Sequence, residues 1–102
     1  MNDGVIQVQT SDSKLQTPLL GQNIPNPFDN STIIPFHIPK DCNDASIMIT
    51  NTATSEVISV IPVSCNEDNV SIEAGMLARG TYSYTLYVDG KMIDTKSMLL
   101  TK

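Results

Sequence analysis

Few side chains in this 102-residue chain have types and spacings suited to chemistry. His37 is the single histidine, and so the one candidate base for a serine- or cysteine-type mechanism, which needs an imidazole to take the nucleophile's proton. It stands between Phe36 and Ile38, with no nucleophile elbow or oxyanion glycines beside it, and reads as a packing or surface residue of a strand. Cys42 and Cys65 are too far apart for a CxxC site, and with His37 they still lack a fourth ligand for a zinc tetrahedron. The acids of Asp41-Cys42-Asn43-Asp44 and Asn66-Glu67-Asp68-Asn69 suggest calcium held between adjacent loops. Neither cluster has the alternating ligands and central glycine of a calcium loop, so both read as solvated turns. Asn30-Ser31-Thr32 and Asn69-Val70-Ser71 match the glycosylation triplet, a weak signal. With no glycine-rich phosphate cradle either, the expectation is a protein that is not an enzyme and needs no metal or cofactor.

The chain carries 6 basic and 11 acidic residues, so its net charge is 6 − 11 = −5. Scattered cations on an acidic chain offer no basic face for a phosphate backbone, so nucleic acid is not an expected partner. No run approaches the ~18 apolar residues of a membrane-spanning helix. Met1-Asn2-Asp3-Gly4 is polar and acidic, unlike a secretory leader. The expectation is either a cytoplasmic chain or a piece whose leader lies elsewhere. A hydrophobic content of 40% over this length supports one small core.

The elements that would carry these residues read as strands. Residues 1–18 are mixed and polar, with Val5-Ile6-Gln7-Val8 the only hint of a strand, and are expected to be a linker or the tail of a preceding region. Residues 19–102 form the expected domain. In it, runs at 32–38, 46–51, 56–63, 70–73, 81–88 and 91–100 are rich in Val, Ile, Thr and Tyr and are separated by turn formers. No window shows the apolar spacing of a helix. Gln22-Asn23-Ile24-Pro25-Asn26-Pro27-Phe28 has two prolines that remove backbone donors and favour extended geometry, so it should lie along a sheet edge anchored by Phe28. Pro35 likewise marks 32–38 as an edge or bulged strand. The fold class expected is an all-β antiparallel sandwich.

Two hairpins can be registered. Asp89-Gly90 is a type I′ turn signal; it places Val88 opposite Lys91 and Leu86 opposite Ile93, with Tyr82, Tyr84, Leu86 and Val88 on one face. The return strand changes parity between Ile93 and Met98, so either both of its faces are partly covered or a bulge intervenes. Pairing 46–51 with 56–63 so that residue numbers sum to 107 sets Ile47 opposite Val60 and Ile49 opposite Ile58. The same sum sets Cys42 opposite Cys65, a candidate disulfide beside the alternative of two unpaired buried thiols. Leu77-Ala78-Arg79-Gly80-Thr81-Tyr82 reads as a turn entering a strand, with Tyr82 placed to return its hydroxyl to a backbone group upstream, the tyrosine corner of immunoglobulin-like sandwiches. The plainer alternative is a core tyrosine after a turn.

Leu20-Gly21-Gln22-Asn23-Ile24-Pro25-Asn26-Pro27-Phe28-Asp29-Asn30-Ser31-Thr32 resembles the opening of the C-terminal sorting domains of the type IX (Por) secretion system of Bacteroidetes. The resemblance continues through Ile38-Pro39, Ala45-Ser46-Ile47-Met48-Ile49, the Leu77, Gly80, Tyr82, Tyr84, Leu86 series and the closing Lys96-Ser97-Met98-Leu99-Leu100-Thr101-Lys102, covering residues 19–102 in order. Where the family usually has a hairpin glycine this chain has Thr54, and the two cysteines are not a family hallmark.

The resemblance implies an immunoglobulin-like sandwich of about seven strands that acts as an address for cargo. In similar proteins the domain engages the outer-membrane type IX translocon after delivery to the periplasm. A sortase-like peptidase then cuts ahead of it, here within residues 2–18, and many cargoes are joined to lipopolysaccharide at the cell surface. Carried over by position, the recognition residues are Pro25, Asn26, Pro27, Phe28, Gly80, Tyr82, Leu99, Leu100 and Lys102. The alternative is an immunoglobulin-like adhesive or structural binding module of a cell-surface protein, which would call for an aromatic patch on the loops.

Overall fold

The computed structural model describes residues 17–102, so the 2–18 cleavage region, the Val5–Val8 stretch and all but the end of the expected linker lie outside the described residues. Seven strands follow one another: β1 (Leu19–Leu20), β2 (Ser31–His37), β3 (Ala45–Asn51), β4 (Val57–Pro62), β5 (Asn69–Glu73), β6 (Gly80–Val88) and β7 (Lys91–Leu100), with a one-turn 3-10 helix (Ala74–Met76) before β6. They form two antiparallel sheets, β1-β2-β5 and β4-β3-β6-β7, packed face to face as a β-sandwich.

The core follows from period-two alternation. Ile34 and Phe36 of β2, Ile47 and Ile49 of β3, Tyr82, Tyr84 and Leu86 of β6, and Met98 and Leu100 of β7 all turn inward and are buried. Burying side chains of this size stabilises the fold by about 1.5–3 kcal/mol each. Leu77, directly after the 3-10 turn, is buried in the same core.

Asp89 and Gly90 take φ of 52° and 83°, as the type I′ turn requires, and Val88 faces Lys91. Beyond that pair the expected register fails, because Leu86 faces Asp94 and Ile93 is an extra residue in the ladder. The bulge absorbs the parity change and lets Met98 and Leu100 reach the core beside Tyr82 and Gly80.

The β3–β4 register is also corrected. Ile47 faces Ile61, Met48 faces Val60 and Ile49 faces Ser59, a sum of 108, before a shift restores Thr50 opposite Val57. Ile58 is the unpaired residue; with it displaced, Ile58 and Ile61 both face the groove lined by Ile49 and Ile72. The left-handed residue of this turn is Ser55 (φ 65°) rather than Thr54. The Asn51 side-chain oxygen fixes the turn by accepting from Ala53 N at 2.9 Å and Thr54 N at 3.2 Å.

Pro35 does not put β2 at an edge: β2 is the middle strand of its sheet. The even-numbered residues of β2 pair towards β5, as Phe36 N does with Asp68 O, so the missing donor of Pro35 faces β1. There the partner chain leaves strand geometry after Leu20, and only Gly21 N approaches, donating to Pro35 O at 2.9 Å. A Cβ on Gly21 would lie 2.7 Å from Pro35 Cγ, so the glycine permits the close approach.

Cys42 and Cys65 are joined in a disulfide with Cα atoms 5.9 Å apart, although the ladder beside them does not follow the sum that suggested the pairing. The bridge ties the β2–β3 loop to the β4–β5 loop. Asp89 secures the same end, its carboxylate accepting from Asn43 N at 2.8 Å and Asp44 N at 2.9 Å.

Candidate functional site

The segment after β1 changes sheets. Ile24 pairs with Ile33 of β2 in both directions at 2.9 Å, and four residues later Phe28 forms a parallel bridge to Leu100 of β7. Residues 22–28 therefore make a strap across the open side of the sandwich. Two prolines suit a crossing segment, since neither needs a ladder partner there.

The strap closes the outer edge of β7 one group at a time. Gln22 Nε2 donates to Ser97 O at 2.7 Å, Asn26 Oδ1 accepts from Leu99 N at 2.9 Å, Phe28 N donates to Leu99 O at 2.9 Å, and Thr101 N donates to Phe28 O at 2.9 Å. Upstream, the edge of β7 carries Lys91, Asp94 and Lys96, charges that discourage further strand pairing. The 3.7 Å contact between Lys96 and Asp94 is exposed and adds little stability.

A buried polar knot holds the strap down. The Tyr84 hydroxyl accepts from Asn23 N and donates to Gly21 O, both at 2.8 Å, with Tyr84 0% and Asn23 2% exposed. Asn23 Nδ2 donates to Thr32 Oγ1 at 3.0 Å and to Pro25 O at 3.1 Å, and Thr32 Oγ1 donates to Pro25 O at 2.7 Å. Asn23 Oδ1 accepts from Gln22 Nε2 at 2.7 Å. Burial pushes the Tyr84 hydroxyl above its ordinary pKa and the Asp94 carboxylate adds to this, while the Asn23 amide acts in the opposite direction.

Between the buried side chains of Asn23 and Phe28 the strap exposes Ile24, Pro25, Asn26 and Pro27, with Ile33 and Leu99 partly exposed alongside. Phe28, Tyr82 and Leu100 are buried, so they build this pole of the sandwich and offer no surface. Gly80 pairs with Leu100 and takes φ 149°, a conformation that side chains beyond glycine rarely adopt. Tyr82 donates its hydroxyl to Ala78 O at 2.5 Å, making the corner. Lys102 Nζ donates to Ala74 O at 2.7 Å on the 3-10 turn.

All of the residues carried over from the resemblance thus meet at one pole, while Cys42 and Cys65 lie at the other. Sequence reasoning missed Asn23, Thr32 and Tyr84 as the strap's fastening, and Ile24 and Ile33 as exposed apolar neighbours. A small amide residue two positions before Pro25, with a threonine and a tyrosine in alternating strands, was the available signal.

His37 faces Leu19 across the β1–β2 ladder, away from this pole. Among the described residues no group of three His, Cys, Asp or Glu side chains is placed to hold a metal ion. In the β4–β5 loop Glu67 Oε1 accepts from Ser64 N at 2.6 Å and Asp68 Oδ1 accepts from Asn69 Nδ2 at 2.7 Å. An apolar groove of about 340 Å³ runs between the edge strands β4 and β5, lined by Ile49, Ile58, Ile61, Ile72 and Leu77. Among the described residues no helix is long and apolar enough to cross a membrane. No family model matches the chain, and no curated protein is significantly similar to it.

Proposed function

We propose that this domain is a secretion and sorting signal, read by a type IX outer-membrane translocon in the periplasm. Cargo ahead of it would be released by a sortase-like peptidase and attached to lipopolysaccharide at the cell surface. The observation that supports this reading is convergence: motifs more than seventy residues apart, the proline strap and the terminal Leu99-Leu100, meet as one hydrogen-bonded edge. A signal recognised by shape needs a rigid exposed contour and no chemistry of its own. The strap supplies that contour, exposing Ile24 to Pro27 between two buried anchors.

An adhesive module would place aromatic side chains on its loops. Here Phe28, Phe36, Tyr82 and Tyr84 are buried, leaving Tyr87 as the one aromatic residue with partial exposure. The groove between β4 and β5 is the feature that favours the rival reading of a binding module.

The test is a fusion of the full 102-residue chain behind a secreted reporter in a Bacteroidetes host. Reporter on the cell surface supports the sorting role, and reporter retained in the periplasm overturns it. Truncating at Met98 is the wrong control, because Met98 and Leu100 belong to the core and their loss would unfold the domain. Point changes at exposed Asn26 and Pro27 leave the core intact.

A further inference from the structure

We propose that Tyr84 is a positioning residue for recognition: through Asn23 it holds the exposed turn of Ile24 to Pro27 in the single shape that the partner reads. This rests on the sorting reading above and adds to it a part for residues that touch no partner. The phenol is fully buried, and its hydroxyl holds the strap and the residue just before it, accepting Asn23 N and donating to Gly21 O at 2.8 Å each. Those two bonds grip the chain at the point where it leaves β1, immediately ahead of the exposed turn. From there the grip passes through the Asn23 side chain to Pro25 O, which Thr32 Oγ1 also holds at 2.7 Å. The carbonyl of Pro25 is thus fixed from two sides while the pyrrolidine ring faces solvent.

The backbone of the strap has few other constraints on this side. Ile24 is tied to Ile33, and the next backbone tie is Phe28 to Leu99. Without the knot, the residues between these ties would keep only the Asn26 contact to Leu99 N. A loosened turn would spread over several conformations, and recognition would fall with the fraction in the competent one. The apolar exposed side chains Ile24, Pro25 and Pro27, with Leu99 beside them, call for an uncharged, apolar complement on the partner.

The experiment compares Tyr84→Phe, Asn26→Ala and a control, Ile47→Val, in the 102-residue chain. Ile47→Val trims the core and lowers the melting temperature without touching the strap. Amide hydrogen exchange and surface display of the reporter fusion are both measured. In Tyr84→Phe, exchange at Asn23, Ile24 and Phe28 should rise roughly tenfold more than at Leu86 and Ile49, as expected for loss of one buried hydrogen-bonded link. Surface display should fall by a similar factor, and Ile47→Val should still be displayed. Exchange that rises evenly across the sandwich overturns the positioning role. So does normal display of Tyr84→Phe beside a block in Asn26→Ala. Normal display of both strap variants overturns the strap as the recognised surface and with it the positioning role, whereas retention of the unmodified fusion in the periplasm overturns the sorting reading itself.

Discussion

The side-chain oxygen of Asn26 accepts the amide of Leu99 at 2.9 Å, standing where the carbonyl of a neighbouring strand would stand. A side chain thereby completes a β-ladder edge that the proline-flanked backbone cannot complete alone. Asn26→Asp keeps the acceptor and should change stability by less than about 0.5 kcal/mol, as for an ordinary surface change. Asn26→Leu removes it and should cost about 0.5–1.5 kcal/mol, the net worth of a hydrogen bond. Urea midpoints of the two variants check this, and equal values would deny the bond a role.

Tyr82→Phe leaves Ala78 O without its 2.5 Å partner at a part-buried site. The expected loss is about 1–3 kcal/mol, the cost of an unsatisfied group. In a domain of this size that corresponds to roughly 4–8 °C in melting temperature per kcal/mol. An unchanged melting curve would remove the corner from the account of this pole.

Reduction of the Cys42–Cys65 bridge frees a closed loop spanning 23 positions. Chain-entropy arguments put the loss near 3 kcal/mol for a loop of this order. Cys42→Ser with Cys65→Ser should therefore melt like the reduced wild type and well below the oxidised one. Coincident curves with and without reductant would show that the bridge does not constrain the unfolded chain.

Alkaline stability should depend on Tyr84, whose hydroxyl pKa is raised chiefly by burial. The unfolded chain gives up this proton first. The contribution is therefore fully present below about pH 10, the ordinary tyrosine value, and is lost as pH rises through the higher folded value. Relative to wild type, Tyr84→Phe should be less stable at neutral pH and show a shallower decline above pH ~10. Parallel stability curves through that range would contradict the assignment.

Gly21→Ala places a Cβ 2.7 Å from Pro35 Cγ and 3.2 Å from Pro35 O. The overlap should cost about 1–3 kcal/mol, as other forced insertions do. Because most of the clash is with the ring, Pro35→Ala should relieve part of it, and the double mutant should be more stable than the sum of the singles. Strict additivity would show that the two residues do not press on each other.

Much of this fold is written in local rules. Asp89-Gly90 specifies its own turn, and the alternation of Tyr82, Tyr84, Leu86 and Val88 specifies a buried face, because both depend on neighbours in sequence. Register is different. The bulge at Ile93 had a signal in the parity change of its own strand, but the one at Ile58 appears only when the opposite sheet decides which side chains the core can hold, and no rule within that hairpin contains the information. Pro35 was misleading for the same reason: its missing donor matters only on the side where β1 has already ended. At the candidate site, the proline strap and the closing strand were visible as motifs. Their fastening was not, since Asn23, Thr32 and Tyr84 are ordinary residues until folding brings residues 61 positions apart within 2.8 Å.

The antiparallel path also fixes which way the molecule points. Leu19 enters beside His37, at the pole of the disulfide and the Asp89-Gly90 turn, whereas the strap and Lys102 lie at the far pole beside Ala74. On the sorting proposal, a passenger ahead of Thr17 would join at the base of the sandwich, leaving the tip clear. Bulky freight and label would then sit back to front along one axis, so a receptor could grasp the tip without having to accommodate what hangs behind it.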